Sequence, residues 1–257
     1  PTEFVPMTPS DGQLFVDSYL AYEDHLKRQV VEGRPPSEFI LPQELAERSG
    51  AMTERLQLAV DSVREAEDKP VFIKASSRSA KDAPTSQQRL GQLYAEQLAA
   101  YAEPDENDKI RCVLTAGLEL MKAFRADDAL ALFLRSERIY QDMLLALERP
   151  DRWDENFAVR RWVNIDVSME FRGFVKGGRL CALSQYNHLC YFPELLPMKA
   201  TLEAQIRGFY NEKIRSRLAS SFQDYVIDFA VTRGEGECLQ QQEESERTFD
   251  LWVIELN

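Results

Sequence analysis

Alternation of apolar and polar residues between positions 158 and 186 constrains the fold of this chain more than any other feature. Three runs have the two-residue period of a β-strand, at residues 158–163, 169–175 and 179–186. Lys176-Gly177-Gly178 separates the last two runs and has the length of a hairpin turn. Further strands are predicted at residues 225–231 and 251–257. We therefore predict that the strands at 158–186 and 225–257 form one antiparallel sheet.

Charged residues interrupt these strands. Glu170 and Arg172 share one face of their strand, because residues two positions apart point the same way. Burial of a lone charge is costly, so each of these charges needs a partner. A solvated outer face meets this requirement and so does a bound anion, and the stretch alone leaves both interpretations open.

Helices dominate the first half of the chain. Helical patterns occupy residues 13–31, 42–50, 86–102, 109–124 and 137–147, begin again at Thr53 and Asp127, and return at 194–216. A short strand at 71–75 follows Pro70. Helices gathered early and antiparallel strands gathered late predict an α+β fold with two lobes. We divide the chain into a helical N-terminal segment at 1–69, a first lobe at 70–150 and a C-terminal lobe at 151–257.

Charge and composition exclude several classes of protein. The net charge of −12 over 257 residues argues against generic nucleic-acid binding. No apolar run is long enough to span a membrane. The opening residues lack the layout of a signal peptide, and because the chain begins with Pro we expect it to be trimmed or processed. Four cysteines without CxxC or zinc-like spacing indicate a reducing, cytoplasmic setting.

Lys74 is the fourth of five residues in the short strand at 71–75, which precedes a small, hydroxylated and basic loop at 76–82. Lysine is a point-charge ligand for phosphate, and small residues let backbone N–H groups approach phosphate oxygens. The alternative is a surface loop with a solvated lysine, which is favoured on sequence grounds because no GxxxxGK[ST] pattern is present.

Acidic residues in the late strands are candidates for metal binding. Asp228 interrupts an apolar strand, so it needs a cation, and a structural ion pair and a metal ion are equally good interpretations. Glu255 and Asn257 lie two positions apart on the last strand and therefore on one face. Their oxygens suit Mg²⁺, although such a pair is commonplace at a chain end.

A basic group near the middle of the chain consists of Arg160, Arg161 and Arg172, with Trp162 beside it. Arginine forks bind phosphate in a bidentate way. The alternative is cross-strand ion pairing with Glu170 or Asp166.

Taken in order, these residues resemble the cell division cycle protein 123 family, which has an ATP-grasp fold. The resemblance extends over residues 70–257 and depends on the following short motifs: Lys74 with Ser79, Asp82 and Ala83; Val159-Arg160-Arg161-Trp162; Glu170 to Val175; Ser184-Gln185; Asp228; and Glu255 with Asn257. Arg78 stands where the family usually has tryptophan, and Glu255 where it usually has aspartate.

The resemblance implies an ATP·Mg²⁺ site between two lobes whose antiparallel sheets flank a nucleotide cleft. Adenine is expected against the hinge near Arg161 and Trp162, and the phosphates at Lys74 and Arg172. Mg²⁺ is expected at Asp228, Glu255 and Asn257. The remaining cofactor-binding residues that the resemblance implies are Ser79, Asp82, Arg160 and Ser184.

Two functions of different class follow from the resemblance. Members of the family assist assembly of translation initiation factor 2 by binding its gamma subunit, which implies an ATP-dependent assembly chaperone with that partner. ATP-grasp proteins more broadly are ligases that work through an acyl phosphate, so the alternative is a ligase or phosphotransferase on an unidentified substrate. A third interpretation is an ATP-binding regulatory scaffold. The sequence shows no committed nucleophile or general base, so whether the protein is an enzyme stays open.

Overall fold

The structure, a computed structural model, describes residues 2–33, 39–83, 87–233 and 249–256. Its helices are α1 (Pro9–Val31), α2 (Gln43–Val63), α3 (Gln87–Leu98), α4 (Glu106–Glu119), α5 (Ala126–Phe133), α6 (Glu137–Leu147), α7 (Leu195–Phe209) and α8 (Arg215–Leu218). Its strands are β1 (Thr2–Pro6), β2 (Val71–Ala75), β3 (Asn156–Arg161), β4 (Glu170–Lys176), β5 (Arg179–Gln185), β6 (Tyr225–Arg233) and β7 (Phe249–Leu256). Within these ranges, every helix is too short or too polar to cross a membrane.

The chain divides into two compact units, each with its own hydrophobic core. The first unit consists of Pro1–Ala99 and Ala116–Trp162, and the second of Ala100–Thr115 and Val163–Asn257. These bounds differ from the boundaries we place at residues 69 and 150. The reason is strand pairing, because β1 and β2 both hydrogen-bond to β3 and so hold the beginning of the chain and residues 156–161 in one unit.

The sheet of the first unit has the strand order β1-β3-β2 and is antiparallel throughout. Phe157 and Val159 of β3 point into the core, where they join apolar residues of α1, α2 and α5. Helix α1 begins with a capping box: Thr8 Oγ1 accepts from the Asp11 backbone N–H at 3.2 Å, and the Asp11 carboxylate accepts from the Thr8 N–H at 2.7 Å. Helix α2 runs through Gly50, so our expectation that a helix ends there is wrong.

The sheet of the second unit has the strand order β5-β4-β6-β7 and is also antiparallel. Helix α7 covers one face, with Met198, Leu202 and Ile206 at four-residue spacing in a core that includes Ile227 and Phe229. The β4–β5 hairpin turns at Gly177 and Gly178, whose φ angles of +55° and +66° suit glycine and match the twist of paired strands. This confirms the predicted hairpin.

The structure therefore has two antiparallel sheets, whereas we predict a single sheet for the strands at 158–186 and 225–257. The mixture of helices with antiparallel sheets is confirmed, but residues 156–161 pair with β1 and β2 rather than with β4 to β7. The prediction fails because alternation shows which residues share a face, whereas partner choice depends on packing against distant elements. The N-terminal segment is also not wholly helical, since Thr2–Pro6 is a strand.

Gly173 of β4 is closely surrounded by core side chains of the neighbouring strands β5 and β6. A Cβ atom at this position would lie 2.8 Å from Leu180 Cδ1, 2.9 Å from Phe229 Cε2 and 3.0 Å from Ile227 Cγ2. We predict that Gly173→Ala lowers the free energy of unfolding by about 1–3 kcal/mol in urea denaturation, because three packed neighbours must shift.

The matched control is Gly208→Ala in α7 of the same unit, where no atom lies within 4 Å of an added Cβ. Alanine favours a helix over glycine by about 0.8–1 kcal/mol, so this variant is expected to be at least as stable as the original protein. Equal effects of the two substitutions would contradict the packing argument.

Candidate functional site

A row of four polar residues crosses the second sheet. Ser184 on β5 lies opposite Arg172 on β4, Arg172 lies opposite Asp228 on β6, and Asp228 lies opposite Glu255 on β7. Directly opposite residues of antiparallel strands point to the same face. The row therefore occupies the face opposite the core, and it brings together every residue of this unit that sequence reasoning assigns to the site within the described chain. Asn257, the remaining predicted metal ligand, lies outside the described residues.

Arg172 and Asp228 form a bidentate ion pair at the centre of the row. Arg172 Nε donates to Asp228 Oδ1 and Nη2 donates to Oδ2, both at 2.8 Å. The Asp228 side chain is 4% exposed and the Arg172 side chain 36%. The hydrogen bonds to Asp228 raise the pKa of Arg172 above its ordinary value, and the negative charge of Glu255 acts in the same direction. The structural ion pair that we considered for Asp228 is therefore present, with Arg172 as the cation.

Tyr186 completes the surroundings of the guanidinium, and sequence reasoning did not include it in the site. The Arg172 Cζ atom lies 4.9 Å from the centre of the Tyr186 ring, which is a cation–π contact. The signal was present in the sequence, since Tyr186 lies two positions after Ser184 and shares its face. Arg172 is thus held at its edge by a carboxylate and on its face by an aromatic ring.

A β-bulge in β7 places Glu255 in the row. Asp228 pairs with Glu255 but the next residue, Phe229, pairs with Val253, so β7 has one additional residue at this point. Without the bulge, Ile254 would lie opposite Asp228. Bulges of this kind redirect side chains and are common beside functional sites. Two carboxylates therefore face the same side on neighbouring strands, an arrangement that attracts cations.

The polar row fits a magnesium ion held jointly with phosphate. Mg²⁺ in nucleotide sites takes one or two carboxylates, several waters and the phosphate oxygens. Asp228 and Glu255 supply two carboxylates, and an ionised carboxylate has lone pairs to spare after accepting two hydrogen bonds. Among the residues that the structure describes, no three His, Cys, Asp or Glu side chains are grouped tightly enough for an all-protein metal site.

In the first unit, Lys74 and Arg160 lie on one face of the sheet. Lys74 is opposite Ala158 on β3 and Arg160 is opposite Phe72 on β2, so both point away from the core face of Ile73 and Val159. Arg161 forms an ion pair with Glu65. Two of the predicted phosphate-binding and hinge cations are thus presented on a common surface of this unit.

Trp162 extends β3 by one hydrogen bond, from its N–H to the Pro70 carbonyl at 3.3 Å. Lys122 Nζ lies 5.4 Å from the centre of a Trp162 ring. The indole N–H is buried and has no hydrogen-bond partner within the described ranges. A buried donor without a partner is uncommon in a folded protein, and such a group can donate to a bound ligand.

Asp82 and Ser79 lie in the loop that follows β2. Asp82 accepts from Ser136 Oγ at 2.7 Å and from the Arg138 N–H at 3.0 Å, and so caps the beginning of α6. Ser79 is half-buried. The structure thus gives Asp82 a capping role, and its role toward a nucleotide, like that of Ser79, stays a prediction.

Comparison with known proteins identifies the family. The family model described as D123 matches residues 114–252, which is more than half of the chain. The chain belongs to the cell division cycle protein 123 (D123) family. The resemblance inferred from short motifs is thereby confirmed, and the family segment contains Arg160, Arg161, Trp162, Arg172, Ser184 and Asp228. The predicted residues Lys74, Ser79, Asp82, Glu255 and Asn257 lie outside it.

Curated relatives share parts of this D123 chain. A protein named translation initiation factor eIF2 assembly protein from Dictyostelium discoideum is 30% identical over 142 residues, covering 53% of this chain and 33% of its own length. Cell division cycle protein 123 from Aspergillus terreus is 38% identical over 80 residues, covering 30% of this chain and 17% of its own length. The chain thus spans about a third or less of the length of these two relatives.

Solved structures share the fold of this D123 chain. The structure of Cdc123 from Schizosaccharomyces pombe covers 100% of this chain and 76% of its own, with a TM-score of 0.56 and 16% sequence identity. A C-terminally truncated form of the same protein gives a TM-score of 0.57 at the same identity. At this level of identity, the likeness establishes a shared fold.

Removal of either member of the Arg172–Asp228 pair tests whether the two residues stabilise the sheet jointly. Arg172→Gln leaves a buried carboxylate without its cation, so we predict a loss of about 3 kcal/mol in the free energy of unfolding at pH 7. The double variant Arg172→Gln/Asp228→Asn is expected to be more stable than the sum of the two single effects by about 1–3 kcal/mol. Urea denaturation of the four proteins measures this coupling.

The exposed pair of Lys176, at the end of β4, and Asp224, directly before β6, is joined at 2.5 Å and provides the control cycle. Solvent screens exposed pairs, so the cycle with Lys176→Gln and Asp224→Asn is expected to show much weaker coupling. Equal coupling in both cycles would mean that burial of Asp228 adds nothing to its interaction with Arg172.

Proposed function

We propose that this chain binds ATP·Mg²⁺ with an ATP-grasp fold and acts as an ATP-dependent assembly factor for a translation initiation factor 2-like protein. The proposal that the chain binds ATP·Mg²⁺ depends on the alignment of Arg172, Asp228 and Glu255 across the second sheet. The partner half is supported by relatives whose names describe eIF2 assembly.

The chemistry of the row suits a metal–phosphate complex. Asp228 and Glu255 would hold Mg²⁺, which requires hard anionic oxygens, and Arg172 would direct its remaining N–H groups to phosphate oxygens. Asp228 can remain bonded to Arg172 while it binds a metal, because the carboxylate has about four lone-pair sites. Bound Mg²⁺ supplies positive charge that neutralises the phosphates.

The first unit, taken by itself, also carries side chains that suit a nucleotide. Lys74 would contact phosphate as a point charge, and Arg160 lies on the same face of the sheet, whereas Arg161 lies on the other face and pairs with Glu65. The buried indole N–H of Trp162 offers a donor to a ligand at the predicted hinge. Field focusing in a local basic site allows a chain of net charge −12 to attract a small anion such as ATP.

We favour a binding role over catalysis of group transfer because two relatives are named for assembly of eIF2. An assembly factor needs nucleotide to shape a protein-binding surface and turns it over slowly. The named partner to test is the gamma subunit of translation initiation factor 2.

Calorimetry of ATP binding with and without Mg²⁺ tests the nucleotide site. A charge-assisted contact is worth roughly 1.5–3 kcal/mol, so we predict that Lys74→Ala weakens ATP binding about ten- to a hundredfold. The control is Lys69→Ala, which removes an exposed lysine of the same unit and is expected to leave the affinity unchanged. Equal affinities in all three proteins would remove Lys74 from the site.

Glu255→Gln tests the contribution of the metal ion separately from that of the nucleotide. The amide keeps the shape of the side chain but loses the charge that Mg²⁺ needs, so the gain in ATP affinity on adding Mg²⁺ is expected to disappear. Asp250→Asn on the same strand, opposite Thr232, is the control and is expected to keep the full magnesium effect. Loss of the effect in both variants, or in neither, would contradict a metal site at Glu255.

Complex formation tests the assembly role. We expect the purified gamma subunit to co-elute with this chain more strongly in ATP·Mg²⁺ than without nucleotide, with little ADP formed. Glu255→Gln is expected to lose this dependence on nucleotide. Repeated turnover of ATP with an acceptor, in place of a stable complex, would instead identify a ligase or phosphotransferase.

A further inference from the structure

A basic cavity lies in the second unit and shares no residue with the polar row. Its volume is about 410 Å³, within the range of roughly 300–1,000 Å³ that is usual for small-molecule sites. Its lining residues are Arg179, Leu180, Cys181, Arg207, Asn211 and Arg215. Nothing in the proposed ATP·Mg²⁺ site or in the proposed assembly role requires three arginines at this position.

The helical side of the cavity is built by an irregular turn. Arg207, Asn211 and Arg215 are spaced by four residues across the end of α7, the π-helical turn Tyr210–Ile214 and the beginning of α8. A π turn has a hydrogen bond between residues i and i+5, so it contains more residues per turn than an α-helix. Residues spaced by four therefore stay on one face of this turn. π turns of this kind occur frequently at functional sites.

Tyr210 fixes this turn against the β4–β5 hairpin. The side chain is fully buried, and its hydroxyl lies 3.2 Å from the Gly178 carbonyl oxygen and 3.1 Å from the Tyr225 hydroxyl. Because Arg179 directly follows Gly178, the same contact sets the position of the strand beside the helix. The arginines of the cavity are therefore held by a rigid, buried anchor.

The strand side of the cavity is a bulged sheet edge. In the β4–β5 register Phe174 pairs with Ala182 and Val175 with Leu180, so Cys181 is the additional residue of a β-bulge. Arg207 Nη1 donates to the Leu180 carbonyl at 2.7 Å, and Arg207 Nε donates to Glu203 at 2.8 Å. Both bonds orient the guanidinium of Arg207 before any ligand arrives.

The charge of the cavity is unbalanced. Glu203 pairs with Arg207, but no acidic residue lines the cavity, and Arg179 and Arg215 have no ion-pair partner in the described part of the chain. Three guanidinium groups beside one carboxylate repel each other in a protein that is otherwise strongly acidic. A bound dianion relieves that repulsion and can accept several N–H bonds at once.

We propose that this cavity binds the phosphate group of a small molecule. Planar arginine forks match phosphate oxygens in a bidentate way, and the Asn211 amide adds a neutral donor. The cavity volume suits a phosphate group with a small substituent. A nucleic acid fits less well, because its many phosphates would meet the net charge of −12. The ligand chemistry is a phosphate dianion, free or esterified.

Calorimetry with inorganic phosphate and with methyl phosphate, at constant ionic strength and without nucleotide, tests the proposal. We expect both to bind the original protein, and we expect Arg179→Gln and Arg215→Gln each to weaken binding about tenfold or more. The control is Arg217→Gln, which removes an exposed arginine of α8 that does not line the cavity and is expected to bind as the original protein does.

The relative affinities distinguish the two sources of the dianion. Tighter binding of methyl phosphate supports a phosphate ester, and tighter binding of inorganic phosphate supports the free ion. Absence of binding to the original protein overturns the proposal, and so does equal weakening in Arg217→Gln and the cavity variants. Melting curves in chloride, which we expect to be the same for all four proteins, exclude loss of folding as the cause.

Discussion

The bidentate pair of Arg172 and Asp228 is the interaction on which the second sheet depends. It joins the two central strands, β4 and β6, on the face that α7 does not cover. Asp228 is almost fully buried, and a carboxylate in that position is tolerated only with a cation and hydrogen bonds around it. Arg172 supplies both, and Tyr186 holds the guanidinium from its face. The remaining residues of the polar row are placed by the register that this pair occupies.

The two faces of this sheet have separate tasks. On one face, Ile227 and Phe229 pack against α7 and give the unit its stability. On the other face, the Arg172–Asp228 ion pair and the Glu255 carboxylate lie side by side on β4, β6 and β7. We propose this polar row as a nucleotide and magnesium site, and Arg172, Ser184 and Asp228 of the row lie within the segment that matches the D123 family. The basic cavity at the β5 edge shares no residue with the polar row.

Period-two alternation was enough to predict the β4–β5 hairpin, but the bulge at Cys181 puts Leu180 on the core face and not on the face of Ser184, as strict alternation predicts. It could not predict that Arg172 pairs with Asp228, 56 positions later, because partner choice depends on the register between strands that are not neighbours in sequence. It also missed the bulge that brings Glu255 opposite Asp228, since a bulge is a property of two strands together. The short strand β1 was not predicted, because its five residues are too few to show a clear alternation.

Pairing of β1 with β3 also fixes an order of events during synthesis. Residues Thr2–Pro6 are made more than a hundred residues before their partner strand Asn156–Arg161. At translation rates of about 5–20 residues per second, the first strand waits roughly 8–30 s for its partner. Throughout that interval its backbone N–H and C=O groups are open to other strands. The nascent first unit therefore carries unpaired strand edges until β3 has been made.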